Sequence, residues 1–270
     1  MAEEYTVILF PEFEKLLEEV KRLRTEFSML LLEKDELQYV ICKNIETAYM
    51  LALGSLEYKA YEMECEMLRL YRKIELIQMR INRQEKIDLT AIEQTLEEEF
   101  AAYQQKLEEQ INKMNAALER SRSEVLTEEE SKELKKLYRK VMKALHPDLN
   151  PDASPAQMQL FHNAVKAYES GDLAALRIIS EMTTEPKLPE NGAEGMSVLA
   201  DEIERLEKTI ALVRERITEI KNTYPYTLKA IVESPEKTEE CRKELQAKID
   251  EMSVAVEFYH NKIDGMVKRQ

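Results

Sequence analysis

The sequence predicts an all-α protein: elongated antiparallel coiled-coil hairpins flanking a short central helical hairpin. Three observations predict it. Apolar residues recur in alternating steps of three and four over long stretches, the spacing of a helical seam. Breakers are few, with 5 Gly and 8 Pro in 270 residues. Charged residues make up 34% and hydrophobic residues 44%, with no Trp, a balance that suits long two-faced helices better than sheets.

Residues 1–43 hold an N-terminal helix expected to pack on the coiled coil, with a seam at Phe13, Leu16, Val20, Leu23, Phe27 and Leu30. The pattern blurs through LLLEKDELQYVICKN, where Asn44 is placed to cap a new helix. Residues 44–123 carry two regular seams. The first runs through Leu56, Ala60, Met63, Met67, Leu70, Ile74, Ile77 and Ile81, and the second through Leu96, Phe100, Tyr103, Leu107, Ile111, Met114 and Leu118. The short interruption QEKIDLT between them predicts an antiparallel hairpin. Arms of roughly thirty to forty residues are about 45–60 Å long. Residues 124–183 differ in kind and are taken up below. Residues 184–195, with Pro186, Pro189, Gly192 and Gly195, are expected to be a flexible linker. Residues 196–270 hold a further pair of seams. Leu199, Ile203, Leu206, Ile210, Val213, Ile217 and Ile220 precede the breakers Pro225 and Pro235, and Leu245, Ile249, Met252, Val256, Tyr259, Ile263 and Met266 follow them. This pair is expected to close as a second antiparallel hairpin. The same seams also allow self-association into a homo-oligomer.

The formal net charge of -14 makes the chain as a whole a poor candidate for wrapping nucleic acid or an anionic membrane, against which a local basic patch could still act. No basic segment precedes the apolar run near the N-terminus, so no signal peptide is expected, and no apolar stretch is long enough to span a bilayer. Cys42, Cys65 and Cys241 are odd in number and far apart, which argues against a disulfide framework or zinc knuckle and for a cytoplasmic setting. Glu257 and His260 form a single ExxH, whereas a di-iron bundle needs two together with further inward Glu residues. Without a metal set, a nucleophile–base pair or a phosphate-binding Gly loop, the chain is expected to be no enzyme and to need no cofactor.

The segment 127–182 is dense in local signals. Thr127 with Glu130 makes a capping box, and Leu134, Leu137, Val141 and Leu145 form the buried stripe of the helix it starts. Lys136, Lys140 and Lys143 give that helix a basic face, with Lys135 and Arg139 beside it. Pro147 ends the helix, because the residue before a proline is pushed out of the helical region. Ser154, Pro155 and Gln157 start a second helix that buries Phe161, Val165 and Tyr168. Gly171 ends it, and Asp172 caps a short last helix. Two helices thus form a hairpin whose connection HPDLNPDA is expected to be exposed, with His146 at a helix C-terminus that favours a donor. Asp148 adds nothing to that arrangement locally, and its charge calls for another reason.

The segment resembles the J-domain of DnaJ-type co-chaperones. The resemblance rests on Tyr138-Arg139-Lys140, then His146-Pro147-Asp148, then Phe161, Ala167, Tyr168 and Glu169, with Tyr138 eight residues before His146 and Phe161 six before Ala167. A bare His-Pro-Asp carries little; the three parts in register carry much more. The resemblance covers about a fifth of the chain. It implies docking on a DnaK-type chaperone of the seventy-kilodalton heat-shock family and stimulation of its ATPase. The implied docking roles fall on the basic residues Lys136, Arg139, Lys140 and Lys143 and on His146, Pro147 and Asp148. The coiled-coil arms are then expected to reach a client protein. The chain departs from the family in lacking the opening Tyr-x-x-Leu-Gly-Val turn, a Gly/Phe-rich linker and a CxxCxGxG zinc repeat. A first helix borrowed from the end of the long helix at 91–122 would complete the module. The alternative is a structural scaffold in which the J-like hairpin is a retired packing module.

Overall fold

A computed structural model describes residues 11–122, 126–183 and 193–268. All the regular structure among them is helical. In chain order the α-helices are α1 (Pro11–Asp35), α2 (Cys42–Tyr49), α3 (Ser55–Asn82), α4 (Leu89–Arg122), α5 (Glu128–Leu145), α6 (Pro155–Ser170), α7 (Leu173–Glu181), α8 (Ala193–Asn222), α9 (Lys229–Val232) and α10 (Pro235–Val267). Helical bonding widens to the π pattern over Glu36–Ile41 and again over Met50–Gly54. Each π turn shifts the phase of the apolar face, which is why the seam blurs there in the sequence. Asn44 therefore caps nothing: it lies inside α2, and its Oδ1 accepts from Arg120.

The chain divides into two compact units, one from residues 1–43 and 124–226, the other from 44–123 and 227–270. In the first, α1 and α8 lie side by side. Their ion pairs Arg24–Glu202, Glu26–Arg214 and Glu33–Lys221 rise in number together, so the two helices run parallel. The hairpin α5–α6 and α7 pack on α1 through one core, which joins Val20, Phe27 and Leu31 to Val141, Met142, Ala164, Tyr168, Leu176 and Leu206.

In the second unit α3 lies against both α4 and α10. The pairs Lys73–Glu93, Arg72–Glu99, Tyr61–Tyr103 and Asn44–Arg120 fall on one arm as they rise on the other, so α3 and α4 run antiparallel. Asp88 starts its second arm by accepting the amides of Thr90 and Ala91 at 3.0 and 3.1 Å. The seam of α4 differs from expectation beyond Leu107. It passes through Gln110, Met114 and Ala117, while Ile111 and Leu118 are exposed. A close approach explains the choice: a Cβ on Gly54 would sit 3.3 Å from Met114 Cγ. Along α10, Arg242, Tyr259 and His260 meet Ala52, Tyr71 and Glu66, again a parallel pairing.

The expected hairpin at 196–270 is thus not formed. The seam of α8 is buried with α1 in one unit, and that of α10 with α3 in the other. A heptad stripe states that a helix has a partner and does not state which one. The N-terminal helix likewise packs on α8 and α5 rather than on the α3–α4 coiled coil. The linker expected at 184–195 lies outside the described residues up to 192, and Ala193 to Gly195 belong to α8.

Candidate functional site

Each local start and stop signal of the central segment is realised. Both capping boxes close, at Thr127–Glu130 and Ser154–Gln157, and Pro155 takes the first turn of α6. Gly171 adopts φ +74°, the left-handed stop that glycine takes without strain, and Asp172 caps α7 by accepting the amide of Ala175. His146 leaves the helix with ψ 129°, as a residue before proline must, while its N–H still donates to Met142 O at 3.0 Å.

Beyond it the chain folds into a tight turn. The amides of Leu149 and Asn150 donate to the His146 carbonyl at 3.0 and 2.9 Å, and the Asn150 side chain donates to the carbonyls of Lys143 and His146. The Asp148 N–H donates to His146 Nδ1 at 3.1 Å. From α8, Arg205 Nη1 donates to the Asp148 carbonyl at 2.5 Å.

His146 is not the exposed C-terminal donor expected from the sequence. It is buried, with its ring edge-on to Phe161 at 5.1 Å and to Phe27 of α1 at 6.0 Å. Burial pushes the imidazole down to about 4, against the opposing pull of Asp148. It is therefore neutral at pH 7, and Nδ1 serves as an acceptor. The Asp148 carboxylate, 3.9 Å from that nitrogen, is accordingly not in an ion pair, and its side chain is 50% exposed.

The basic residues share one face of α5, spaced by three, four and seven. Lys136 and Lys140 are exposed; Arg139 and Lys143 are half-buried. Lys140 Nζ donates to the Ser180 carbonyl of α7 at 2.9 Å, and Arg139 Nε is buried without a hydrogen-bond partner. Arg177 of α7 pairs with Glu133 at 2.6 Å and holds that carboxylate below its usual range. Lys135 points the other way and bonds Glu36. The structure thus brings Lys136, Arg139, Lys140, Lys143, His146, Pro147 and Asp148 together along α5 and its terminal turn.

Beneath this face, Tyr138 stacks on Tyr168 with ring centroids 4.1 Å apart and an interplanar angle of 7°. Its hydroxyl donates to the buried Asp35 carboxylate at 2.7 Å. Burial and then Asp35 push the Tyr138 phenol far above its usual value, so it stays protonated. Phe27 and Asp35 show that the helix packed on the hairpin is α1. The expected loan from the end of the helix at 91–122 does not occur, since that helix belongs to the other unit.

Phe27, Asp35 and Arg205 were not foreseen as parts of the site. Phe27 was legible only as a seam residue, and nothing in the sequence near Asp35 or Arg205 ties them to residues more than fifty positions away. Among the described residues no group of three His, Cys, Asp or Glu side chains is placed to hold a metal ion, and no helix is long and apolar enough to cross a membrane. No family model, curated protein or solved structure matches this chain.

Proposed function

We propose that the protein is a divergent J-domain co-chaperone that docks on a DnaK-type chaperone and stimulates its ATPase. The observation that carries this reading is the division of labour at Asp148. Its N–H and C=O are both engaged in holding the turn, while its carboxylate is half exposed beside the basic face of α5. A charge that does little for the fold, held in a fixed place, is what a partner arginine needs. A basic face steers an acidic partner, and the closed charge pair carries specificity. In this reading Lys136, Arg139, Lys140 and Lys143 orient the encounter, His146 and Pro147 shape the turn, and Asp148 makes the contact. The remaining helices serve to reach a client protein in the cytoplasm.

The burial of His146 against Phe27 favours a second reading, a scaffold in which the turn is only a packing element. Asp148→Asn separates the two. An exposed substitution changes stability by about 0.5 kcal/mol or less. Loss of one member of a desolvated charge pair costs a complex about 2–5 kcal/mol. The expected result is unchanged melting with lost stimulation of a DnaK-type ATPase in steady-state turnover. Stimulation that survives in the mutant removes Asp148 as the contact, and a wild type that never stimulates such an ATPase favours the scaffold.

A further inference from the structure

Arg205 lies on α8, 57 residues beyond Asp148 and outside the hairpin that carries the motif. Its guanidinium is committed in two directions. Nε and Nη2 donate to Glu202 at 2.7 and 3.0 Å, and Nη1 donates to the main-chain carbonyl of Asp148 at 2.5 Å. Glu202 also accepts from Arg24 of α1, at 3.2 Å from Nε and 2.9 Å from Nη2. Burial alone would raise Glu202; Arg205 and Arg24 more than offset it and leave the carboxylate below its usual range. The fork is therefore oriented by a charged, part-buried partner before it meets the turn.

We infer that Arg205 is a positioning residue for Asp148: α8 braces the main chain of the His-Pro-Asp turn so that the carboxylate is presented outward. The inference rests on the docking reading for what the carboxylate meets; the brace itself is a property of the free chain. Two hydrogen bonds enter the Asp148 backbone from opposite sides, its N–H to His146 and its C=O from Arg205. Fixing the peptide groups on both sides of one residue fixes its φ and ψ, and with them the direction of Cα–Cβ. A surface ion pair without further role would end at Glu202, three residues away on the same helix. An inhibitory lock would take the carboxylate, the group a partner needs. The bond goes to the carbonyl instead and leaves the carboxylate half exposed.

The test uses the full chain with Arg205→Ala, Arg205→Lys and Glu202→Gln, each first checked for wild-type helicity and melting. Amide hydrogen exchange in the free protein reads the brace directly. Arg205→Ala is expected to speed exchange at Asp148, Leu149 and Asn150 roughly tenfold, the scale of one lost charged hydrogen bond, with the amides of α6 unchanged. Unchanged exchange in the turn overturns the brace, whatever an ATPase does. Titrating each variant against a DnaK-type ATPase reads presentation. The concentration for half-maximal stimulation is expected to rise about tenfold in Arg205→Ala with the maximal rate kept. Arg205→Lys, which keeps one donor and loses the fork, and Glu202→Gln, which removes the charge and one of the two acceptor oxygens that orient the fork, are expected to fall between Ala and wild type. Faster exchange with an unshifted titration overturns presentation. A wild type that stimulates no DnaK-type ATPase overturns the docking reading, and the exchange result then decides the brace alone.

Discussion

Acidification is expected to undo the His-Pro-Asp turn before it unfolds the rest of the protein, and His146 sets the window. Free histidine titrates near 6.5; burial against Phe27 and Phe161 brings His146 to about 4, with Lys34 acting in the same direction and Asp148 and Asp35 against it. The folded chain thus binds this proton less readily than the unfolded chain. Its contribution to stability is complete above about 6.5, falls as the pH falls, and is gone near 4. At ~1.4 kcal/mol for each tenfold change in proton affinity, the gap amounts to about 3 kcal/mol. A proton on Nδ1 also turns an acceptor into a donor, so the Asp148 N–H loses its partner. Urea unfolding of the wild type and of His146→Gln, run from pH 7 to 4, isolates this contribution. Carboxylates held low by their ion pairs, such as Glu93 and Glu202, weaken both proteins alike and cancel in the difference. The stability advantage of the wild type is expected to shrink by about 2–3 kcal/mol across that range. Proton NMR of the imidazole checks the cause. A His146 that titrates near 6.5, or a difference that does not vary with pH, refutes the reasoning.

Two further outcomes are expected from the same unit. Tyr138→Phe keeps the stack on Tyr168 but leaves the buried Asp35 carboxylate without its hydroxyl donor. It should cost about 1–3 kcal/mol, read as a lower urea midpoint with an unchanged slope. Reversal of the basic face by Lys136→Glu, Lys140→Glu and Lys143→Glu together should slow association with a DnaK-type ATPase, most strongly at low salt. Surface plasmon resonance at two ionic strengths measures it, and an unchanged on-rate removes α5 from the interface.

Whatever is settled within a few residues was legible along the chain. The capping boxes at Thr127 and Ser154, the left-handed stop at Gly171 and the break at Pro147 each depend on side chains next to the backbone groups they satisfy. The long apolar stripes likewise announced all-α structure, because helical periodicity is a local property. Tertiary structure decided which stripes meet. The α8 and α10 stripes are equally good seams, yet each pairs in parallel with a helix almost two hundred residues earlier instead of with the other. It also decided the state of the site. The burial of the His146 ring, the partner of the Tyr138 hydroxyl and the partner of the Asp148 carbonyl come from Phe27, Asp35 and Arg205, which arrive from α1 and α8. Burial and hydrogen bonding act through space, and a spacing pattern along the chain carries no record of which distant side chain fills that space.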